Sequence, residues 1–219
     1  MTVTHEQRIA LFASELSLIH SPALRNFAEY LLGRVPDYFF HVPASSSGKY
    51  HPAYCLGEGG LVRHTKAAIG IFQMISQADI DLYYMNMDTE NEDLFIKEDF
   101  DEECVFALLF HDALKWGFEE IDPEDYQNRH TLFEHPLLAA EWVKEEAAQY
   151  KFQYPARIQR IASAIATHMG KWTISKYSVA MLPSPDLGSW LNKIVHLCDF
   201  LASRKRLEYK FVLPEEPNV

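Results

Sequence analysis

The stretch LLFHDALKWG, residues 108–117, places three ionisable side chains at the end of an apolar segment. Six apolar residues in a row precede His111 and Asp112, and Lys115 follows three positions after the aspartate. The pattern predicts a helix over residues 102–115 with a buried apolar surface. Because charged groups are costly to bury without partners, these three side chains need partners within the protein or a ligand.

Apolar residues at helical spacing predict further helices on both sides of this stretch. Thr4 and Gln7 have the spacing of a capping box, and Ser21 with Pro22 is typical of a helix start. Period-two alternation bounded by turn residues does not persist anywhere in the chain. We therefore predict an all-α protein, a single-domain helical bundle. Its predicted helices cover residues 4–19, 21–33, 58–77, 102–115, 133–149, 156–168 and 187–208, the last with Asp186 or Ser184 near its cap.

Two segments interrupt the helical pattern. Residues 36–57 contain several Pro and Gly and a run of Ser, and they predict a loop with aromatic anchors that is long enough to suggest a function. Residues 79–103 hold eleven acidic residues and one Lys, which predicts a solvated excursion whose end caps the next helix. Either segment could form a lid or an interface.

The overall charge limits the kind of partner. At 219 residues and 48% hydrophobic content, the chain is long enough to bury one sizeable core. A formal net charge of −11 argues against long nucleic acid as a partner, because that binding mode relies on clustered Lys and Arg. A small phosphorylated substrate is compatible, since bound metal cations or a few local Lys can reverse the sign inside a cleft.

The sequence also carries expectations about the cellular compartment. Cys55, Cys104 and Cys198 are odd in number and widely spread, which favours reduced thiols in the cytoplasm over a disulfide framework. The first residues lack the basic start and compact apolar region of a signal peptide, and no apolar run is long enough for a membrane span. We therefore predict a soluble cytoplasmic protein without a membrane partner, and the oligomeric state stays open.

Histidines in apolar helical contexts are candidate metal ligands. His64 lies one turn into a predicted helix, where a single His is more often a hydrogen-bonded core residue. His111 and Asp112 are adjacent, so their side chains would diverge by about 100° on a helix. One ion could still bind both, and two ions bridged by the carboxylate would make use of the divergence. The structural alternative is an ion pair or cap at the helix end.

Three further residues extend this set. His135 precedes Pro136 at one predicted helix start, and His168 ends another helix, positions where capping alone would account for either imidazole. Asp199 stands in mid-helix between apolar neighbours, and a buried carboxylate without a partner costs several kcal/mol. A shared metal centre explains all six residues together. Imidazole and carboxylate suit Fe, Mn, Zn, Co or Ni, and the lack of nearby Cys disfavours a structural zinc site.

The order of these six residues resembles the HD superfamily of metal-dependent phosphohydrolases, in the form that carries H…HD…H…H…D. The resemblance covers about residues 57–204, which would form the metal-site core of one domain over residues 1–219. HDALK resembles the HDxxK of many members, and VHLCDFLASR resembles the closing helix that delivers the last Asp. EHPLLAAEWV resembles the HPxxGA-type helix, with Ala139 where several relatives carry Gly.

The resemblance implies two divalent transition-metal ions. By analogy with the family, one ion would be held by His64, His111, Asp112 and Asp199. The second would be held by His135 and His168, with Asp112 as the bridge.

One departure from the family pattern concerns the second ion. Many dinuclear members carry two consecutive His where this chain has His168 followed by Met169. The departure predicts a looser second ion or assistance from another group such as His130. His196 precedes Asp199 by one helical turn and could support a ligand or serve in packing.

The function that the resemblance favours is a metal-dependent phosphohydrolase or phosphodiesterase that cleaves a nucleotide or short oligonucleotide through a metal-activated water. Asp112 and Lys115 are the predicted catalytic residues. Lys115, Lys171 and Trp172 are the predicted substrate contacts, with the indole stacking on a base. Two alternatives stay open: a diiron oxygenase of the same superfamily acting on a small diol or phosphonate, and a non-catalytic sensor or interaction domain.

Overall fold

The computed structural model describes residues 2–45, 48–78, 97–119, 121–185 and 189–206. Within these ranges the chain forms eight α-helices and no β-strand, apart from one isolated bridge between Ile174 and Met181. The all-α prediction is therefore confirmed. The helices are α1 (His5–Leu11), α2 (Ala13–Leu16), α3 (Pro22–Leu32), α4 (Gly60–Gln77), α5 (Lys97–Phe110), α6 (His135–Tyr150), α7 (Pro155–Thr167) and α8 (Trp190–Ala202).

α5 lies at the centre of the bundle, where it contacts α4, α7 and α8. Its last six residues, 105–110, are each at most 2% exposed, because the helix is apolar on all sides there and other helices surround it. Phe106 stacks on Phe27 of α3, with ring centroids 5.7 Å apart, and this contact joins the N-terminal helices to the core. The close-packed core therefore fixes the position of the residues that follow α5.

α5 begins at Lys97 and ends at Phe110, earlier than predicted at both ends. Residues 111–116 form turns instead of continuing the helix. The N–H of Ala113 donates to the carbonyl of Phe110 and the N–H of Lys115 donates to the carbonyl of Asp112, both over three residues and at 3.1 Å. Such tightening is common where a helix ends.

The prediction that residues 79–103 form a solvated excursion is wrong for its last part. The first turns of α5 belong to this segment, and Glu102 and Glu103 are buried. Their carboxylates accept hydrogen bonds from Arg157 of α7 at 2.8 and 3.1 Å. The buried guanidinium compensates both charges, which an acidic composition alone does not reveal. Residues 79–96 lie outside the described residues.

The single helix predicted over residues 4–19 is divided by Phe12. Phe12 has φ −108° and ψ 19°, and its ring is fully buried, so the backbone leaves the helical path where this ring enters the core. The capping box is confirmed. The Thr4 hydroxyl accepts from the Gln7 N–H at 3.3 Å, and the Gln7 side chain accepts from the Thr4 N–H at 2.8 Å.

The segment predicted to be a functional loop contains two short 3-10 helices, Asp37–Phe40 and Ala53–Cys55. Tyr38 in the first is fully buried. Its hydroxyl donates to the carbonyl of Gly117 at 2.8 Å and accepts from the N–H of Trp116 at 3.0 Å. The segment therefore holds the turns after α5 in place, which makes it part of the core.

The start of α4 depends on a glycine. A Cβ at Gly60 would lie 2.3 Å from the carbonyl oxygen of Cys55, so only glycine lets the helix approach that segment closely. This approach carries His64, one turn further along, into the interior, where it is 1% exposed.

α8 is shorter than predicted. It begins at Trp190, with Ser189 in the N-cap position in place of Ser184, and it ends at Ala202. The other predicted cap, Asp186, lies outside the described residues. Among the helices that the structure describes, none combines the length and the hydropathy needed to cross a membrane.

Candidate metal centre

Five parts of the bundle bring the six predicted ligands to one place between the helices. They come from α4, the turns after α5, the start of α6, the end of α7 and the middle of α8. In that order the residues are His64, His111, Asp112, His135, His168 and Asp199. All are buried except Asp199, whose side chain is 16% exposed.

The first cluster joins His64, His111 and Asp199. Nε2 of His64 lies 3.0 Å from Oδ1 of Asp199 and 3.3 Å from Nε2 of His111. Nε2 of His111 lies 3.6 Å from the same carboxylate oxygen. Oδ2 of Asp112 lies 3.8 Å from His64 Nε2 and 3.6 Å from His111 Nε2. The four residues thus offer two imidazole nitrogens and two carboxylate oxygens in a space that suits one cation.

The second cluster joins His135, His168 and the other oxygen of Asp112. Oδ1 of Asp112 lies 2.9 Å from Nε2 of His135 and 3.6 Å from Nε2 of His168. The two imidazole nitrogens are 3.1 Å apart. Asp112 therefore presents one oxygen to each cluster, as a bridging carboxylate does.

Backbone carbonyls orient three of the imidazoles. His111, His135 and His168 each direct Nδ1 at the carbonyl oxygen three residues earlier, at 2.7, 2.6 and 2.8 Å. Only an N–H can donate to a carbonyl, so in each neutral ring the proton is on Nδ1 and Nε2 carries a lone pair. Metal-binding histidines typically have such a partner on the nitrogen remote from the metal.

The chemistry of the donor set fits a divalent cation. Nε2 of His135 and Nε2 of His168 face each other as lone-pair acceptors. Oδ1 of Asp112 is buried and accepts no hydrogen bond within the described part of the chain. Acceptors held this close repel one another in a buried site unless a cation lies between them. Imidazole and carboxylate are also the usual ligands of transition metals in proteins.

The electrostatics of the site favour positive charge. Burial by itself would raise the pKa of Asp112, but Lys115 and His111 outweigh burial and hold this pKa well below its ordinary value. Burial would also raise the pKa of Asp199, but the neighbouring His111 and His64 outweigh burial and hold this pKa well below its ordinary value. Burial lowers the pKa of His168 to about 4. The carboxylates are thus ionised and His168 is neutral at neutral pH, which are the forms that bind metals.

Lys115 is the one cationic side chain that contacts the predicted ligands among the described residues. Its Nζ donates to Oδ2 of Asp112, and the side chain lies along the wall of the central cavity. Its backbone carbonyl accepts from the N–H of Leu132 at 3.0 Å, which ties the turns after α5 to the segment before His135. Lys115 is thus placed to hold the carboxylate and to donate to an anion in the cavity.

The central cavity has a volume of about 570 Å³. Its wall includes Lys115 and five of the six predicted ligands, all but His111. Trp172 also lines it, is 40% exposed, and stacks on Phe200 with ring centroids 5.8 Å apart. Lys171 does not line the cavity, and its Nζ lies 5.1 Å from the centroid of the Trp172 ring. The volume lies within the range of small-molecule sites.

His51 is a cavity residue that sequence reasoning did not single out. Its ring centroid lies 6.0 Å from that of His64, and its buried Nδ1 has no hydrogen-bond partner among the described residues. Burial, with the neighbouring His64, lowers the pKa of His51 to about 4, so the ring is neutral. The available signal was its position in residues 36–57, the loop that is long enough to suggest a function. The neighbouring sequence does not distinguish His51 from a surface histidine.

Two other histidines are placed differently. His130, considered as an additional ligand, is exposed and does not line the cavity. His196 acts through the backbone, because its Nδ1 donates to the carbonyl of His168 at 2.7 Å. Its ring also packs on Gly170, where a Cβ would lie 2.1 Å from the imidazole. His196 therefore positions the turn that carries His168.

Comparison with known proteins identifies a family. Residues 64–204, most of the chain, match the family model of the HD domain, and this range contains all six predicted ligands. No curated protein matches the chain, and no solved structure does.

Proposed function

The chain belongs to the HD domain family, whose members are typically metal-dependent phosphohydrolases, and we propose that this protein is such an enzyme. The observation that carries the proposal is the position of Asp112. One of its oxygens faces His64 and His111, and the other faces His135 and His168. A carboxylate between two groups of imidazoles suits a dinuclear centre, which is the arrangement that many phosphoester hydrolases use.

The proposed ligand sets follow the two clusters. One divalent ion would be held by His64, His111, Asp112 and Asp199, and a second would be held by Asp112, His135 and His168. This assignment accounts for the buried oxygen of Asp112 that accepts no hydrogen bond from the described residues. Ions of this kind, chosen from Fe, Mn, Ni, Co and Zn, polarise a phosphate ester and lower the pKa of water.

The protein's own contribution is to bind and orient the phosphate. Lys115 keeps Asp112 in position and donates to a non-bridging phosphate oxygen, where it offsets the negative charge that develops during attack. His51, neutral and with a free Nδ1 among the described residues, hydrogen-bonds another oxygen of the substrate. Lys115 is 8% exposed, and this burial strengthens its interaction with a bound phosphate.

The proposed substrate is a nucleotide or short oligonucleotide. Trp172 and Phe200 form a stacked aromatic pair on the cavity wall, which suits a nucleobase. The Arg204 guanidinium carbon lies 4.0 Å from the ring centroid of Phe200, so a cation accompanies this aromatic surface. An aromatic surface close to a phosphate-binding centre is the arrangement that a nucleotide requires.

The decisive experiment measures metal content and turnover on the same preparations. Protein loaded with each candidate metal is assayed anaerobically for hydrolysis of bis(p-nitrophenyl) phosphate and of nucleotides, and in parallel for O₂ uptake with reduced iron. We expect hydrolysis without O₂ that is lost in Asp112→Asn. The matched control is Asp125→Asn, an exposed aspartate outside the cavity, which should keep full turnover.

The alternatives give different results. O₂-dependent turnover of a diol or phosphonate with two irons per chain would replace the hydrolase with the oxygenase. Stoichiometric metal binding without turnover under any condition would leave a sensor or interaction domain.

A further inference from the structure

A second cavity, of about 420 Å³, has an unusual charge for this chain. It is lined by Lys49, Tyr50, Leu201, Arg204, Lys205 and Arg206, which we call the basic groove. Four of these six residues are cationic and none is acidic, although the chain as a whole carries a formal charge of −11. A local concentration of cations on an acidic protein points to an anionic ligand.

Three cations of the basic groove, Arg204, Lys205 and Arg206, have no carboxylate partner among the described residues. Arg204 donates from Nε to the carbonyl of Phe200 at 3.2 Å and from Nη2 to Oγ of Ser203 at 3.1 Å. Neither acceptor is a carboxylate. No acidic side chain among the described residues forms an ion pair with Arg204, Lys205 or Arg206. Their charge is therefore available to a ligand, in contrast to Arg157, which two buried glutamates compensate.

The basic groove adjoins the central cavity. Tyr50 and Arg204 line both cavities. The N–H of Lys205 donates to the carbonyl of Tyr50 at 3.0 Å, so the segment after α8 is held against the loop before α4 beside these two residues. A ligand that reaches from the metal centre past Arg204 would therefore enter the basic groove.

Aromatic side chains accompany the cations along this path. Trp172 and Phe200 lie on the central side, and Tyr50, 58% exposed, lies at the junction. Nζ of Lys49 lies 5.0 Å from the centroid of the Tyr50 ring, and Arg204 lies over both Trp172 and Phe200. Alternating aromatic faces and cations are the means by which proteins bind unpaired bases and their backbone phosphates.

We propose that this protein acts on short single-stranded oligonucleotides, with the scissile phosphodiester at the Asp112 centre and the neighbouring nucleotide in the basic groove. The inference rests on the proposed function and names its substrate. The oxygen of water forms the new bond to phosphorus, and one bond from phosphorus to a sugar oxygen breaks. The released sugar hydroxyl takes a proton from the water, so the step needs no oxidant or reductant.

The test separates the basic groove from the metal centre. Lys205→Glu with Arg206→Glu reverses two charges in the groove. Lys151→Glu with Lys193→Glu reverses two exposed charges that line neither cavity. Binding of a fluorescein-labelled single-stranded tetranucleotide with phosphorothioate linkages is measured by anisotropy on the metal-loaded protein. The first pair should raise Kd at least tenfold. It should also lower the slope of log Kd against log salt by about 1.4, because two phosphate contacts are lost and each contributes about 0.7 to the slope for a single strand.

A second measurement uses turnover. The ratio of kcat/KM for an unmodified tetranucleotide to kcat/KM for bis(p-nitrophenyl) phosphate should fall at least tenfold in the groove variant and stay constant in the control. Equal effects in both variants, or an unchanged Kd in the groove variant, would overturn the proposal. So would a nucleoside triphosphate that displaces the tetranucleotide at equal concentration, because the groove would then bind a polyphosphate.

The two proposals fail in different ways. If no phosphate ester is hydrolysed, the proposed function is wrong, whereas a binding loss confined to the groove variant would still identify the groove as an oligonucleotide site. If the small diester is hydrolysed and the groove variant binds the tetranucleotide normally, only the further inference is wrong.

Discussion

Oδ1 of Asp112 lies 2.9 Å from Nε2 of His135, yet the imidazole gives it no hydrogen bond. The ring directs its Nδ1 at the carbonyl of Leu132 instead, 2.6 Å away. Two acceptors at this distance in a buried site need a cation between them. This relationship ties the catalytic proposal to a measurable property, the number of ions bound per chain.

Replacing the bridging carboxylate should remove both ions. We expect Asp112→Ala to contain less than about a tenth of the wild-type metal, because each cluster loses a carboxylate ligand. Loss of a residue that only supports a ligand typically lowers metal affinity about 10–100-fold, and loss of the ligand itself should lower it more. His135→Ala should lose mainly one ion. Metal analysis after gel filtration gives both numbers, and an unchanged stoichiometry in Asp112→Ala would disprove the bridge.

Lys115→Ala should separate metal binding from turnover. The side chain is not a ligand in the proposed centre, so both ions should remain, while kcat should fall by about 10²–10³-fold through the loss of a donor to the phosphate. Lys115→Arg keeps the charge but not the compact ammonium, and we expect it to recover only part of the rate. Metal content and initial rates are measured on the same samples. Full activity in Lys115→Ala would remove this residue from the mechanism.

Removing the metal should destabilise the fold. An ion present at one hundred times its Kd stabilises the native state by about 2.7 kcal/mol. For a chain of this size, each kcal/mol of unfolding free energy shifts Tm by about 2–4 °C. Chelation should therefore lower Tm by about 5–10 °C. Calorimetry with and without chelator measures the shift. Asp112→Ala, which should bind no metal, serves as the control and should show no shift.

Two glycines with the same backbone conformation should differ in their tolerance of alanine. Gly57 and Gly170 have φ of +68° and +63°, but a Cβ at Gly57 meets none of the described residues within 4 Å, whereas one at Gly170 would overlap the His196 ring. Gly57→Ala should cost about 1 kcal/mol of unfolding free energy, from the backbone alone. Gly170→Ala should cost about 3 kcal/mol, because overpacking adds to this strain.

Urea denaturation measures both costs. Since the overlap would also displace the turn of His168, Gly170→Ala should bind less of the second metal ion than Gly57→Ala does. Equal stability and equal metal content in the two variants would show that the His196 contact does not position the site.

The cysteines should be inert in the native protein. Burial raises the pKa of Cys55 to about 12 and raises the pKa values of Cys104 and Cys198 as well. Because the thiolate is the reactive form, at pH 8 only about one Cys55 side chain in 10⁴ is reactive. We expect no reaction with a thiol reagent at pH 8 and three reactive thiols after denaturation. Rapid labelling of the native protein would contradict the buried placement.

The sequence by itself determined the helical class and the identity of the six candidate ligands. Apolar periodicity reports which face of a helix is buried, and the order from His64 to Asp199 is a linear property of the chain, so both can be read without coordinates. The HD domain match confirms the family. The notable error in the described part of the chain, the solvated status given to Glu102 and Glu103, arose because composition does not reveal a distant guanidinium.

Only the tertiary structure decided which groups meet. The two carboxylate oxygens of Asp112 face different clusters because of the turns after α5. The apolar periodicity of the sequence predicted that the helix continues through these turns. His51 and Arg204 reach the central cavity because the loop before α4 packs beside the end of α8, a contact between segments far apart in sequence. Local propensity describes neighbours along the chain, whereas a site depends on side chains that long-range packing brings together.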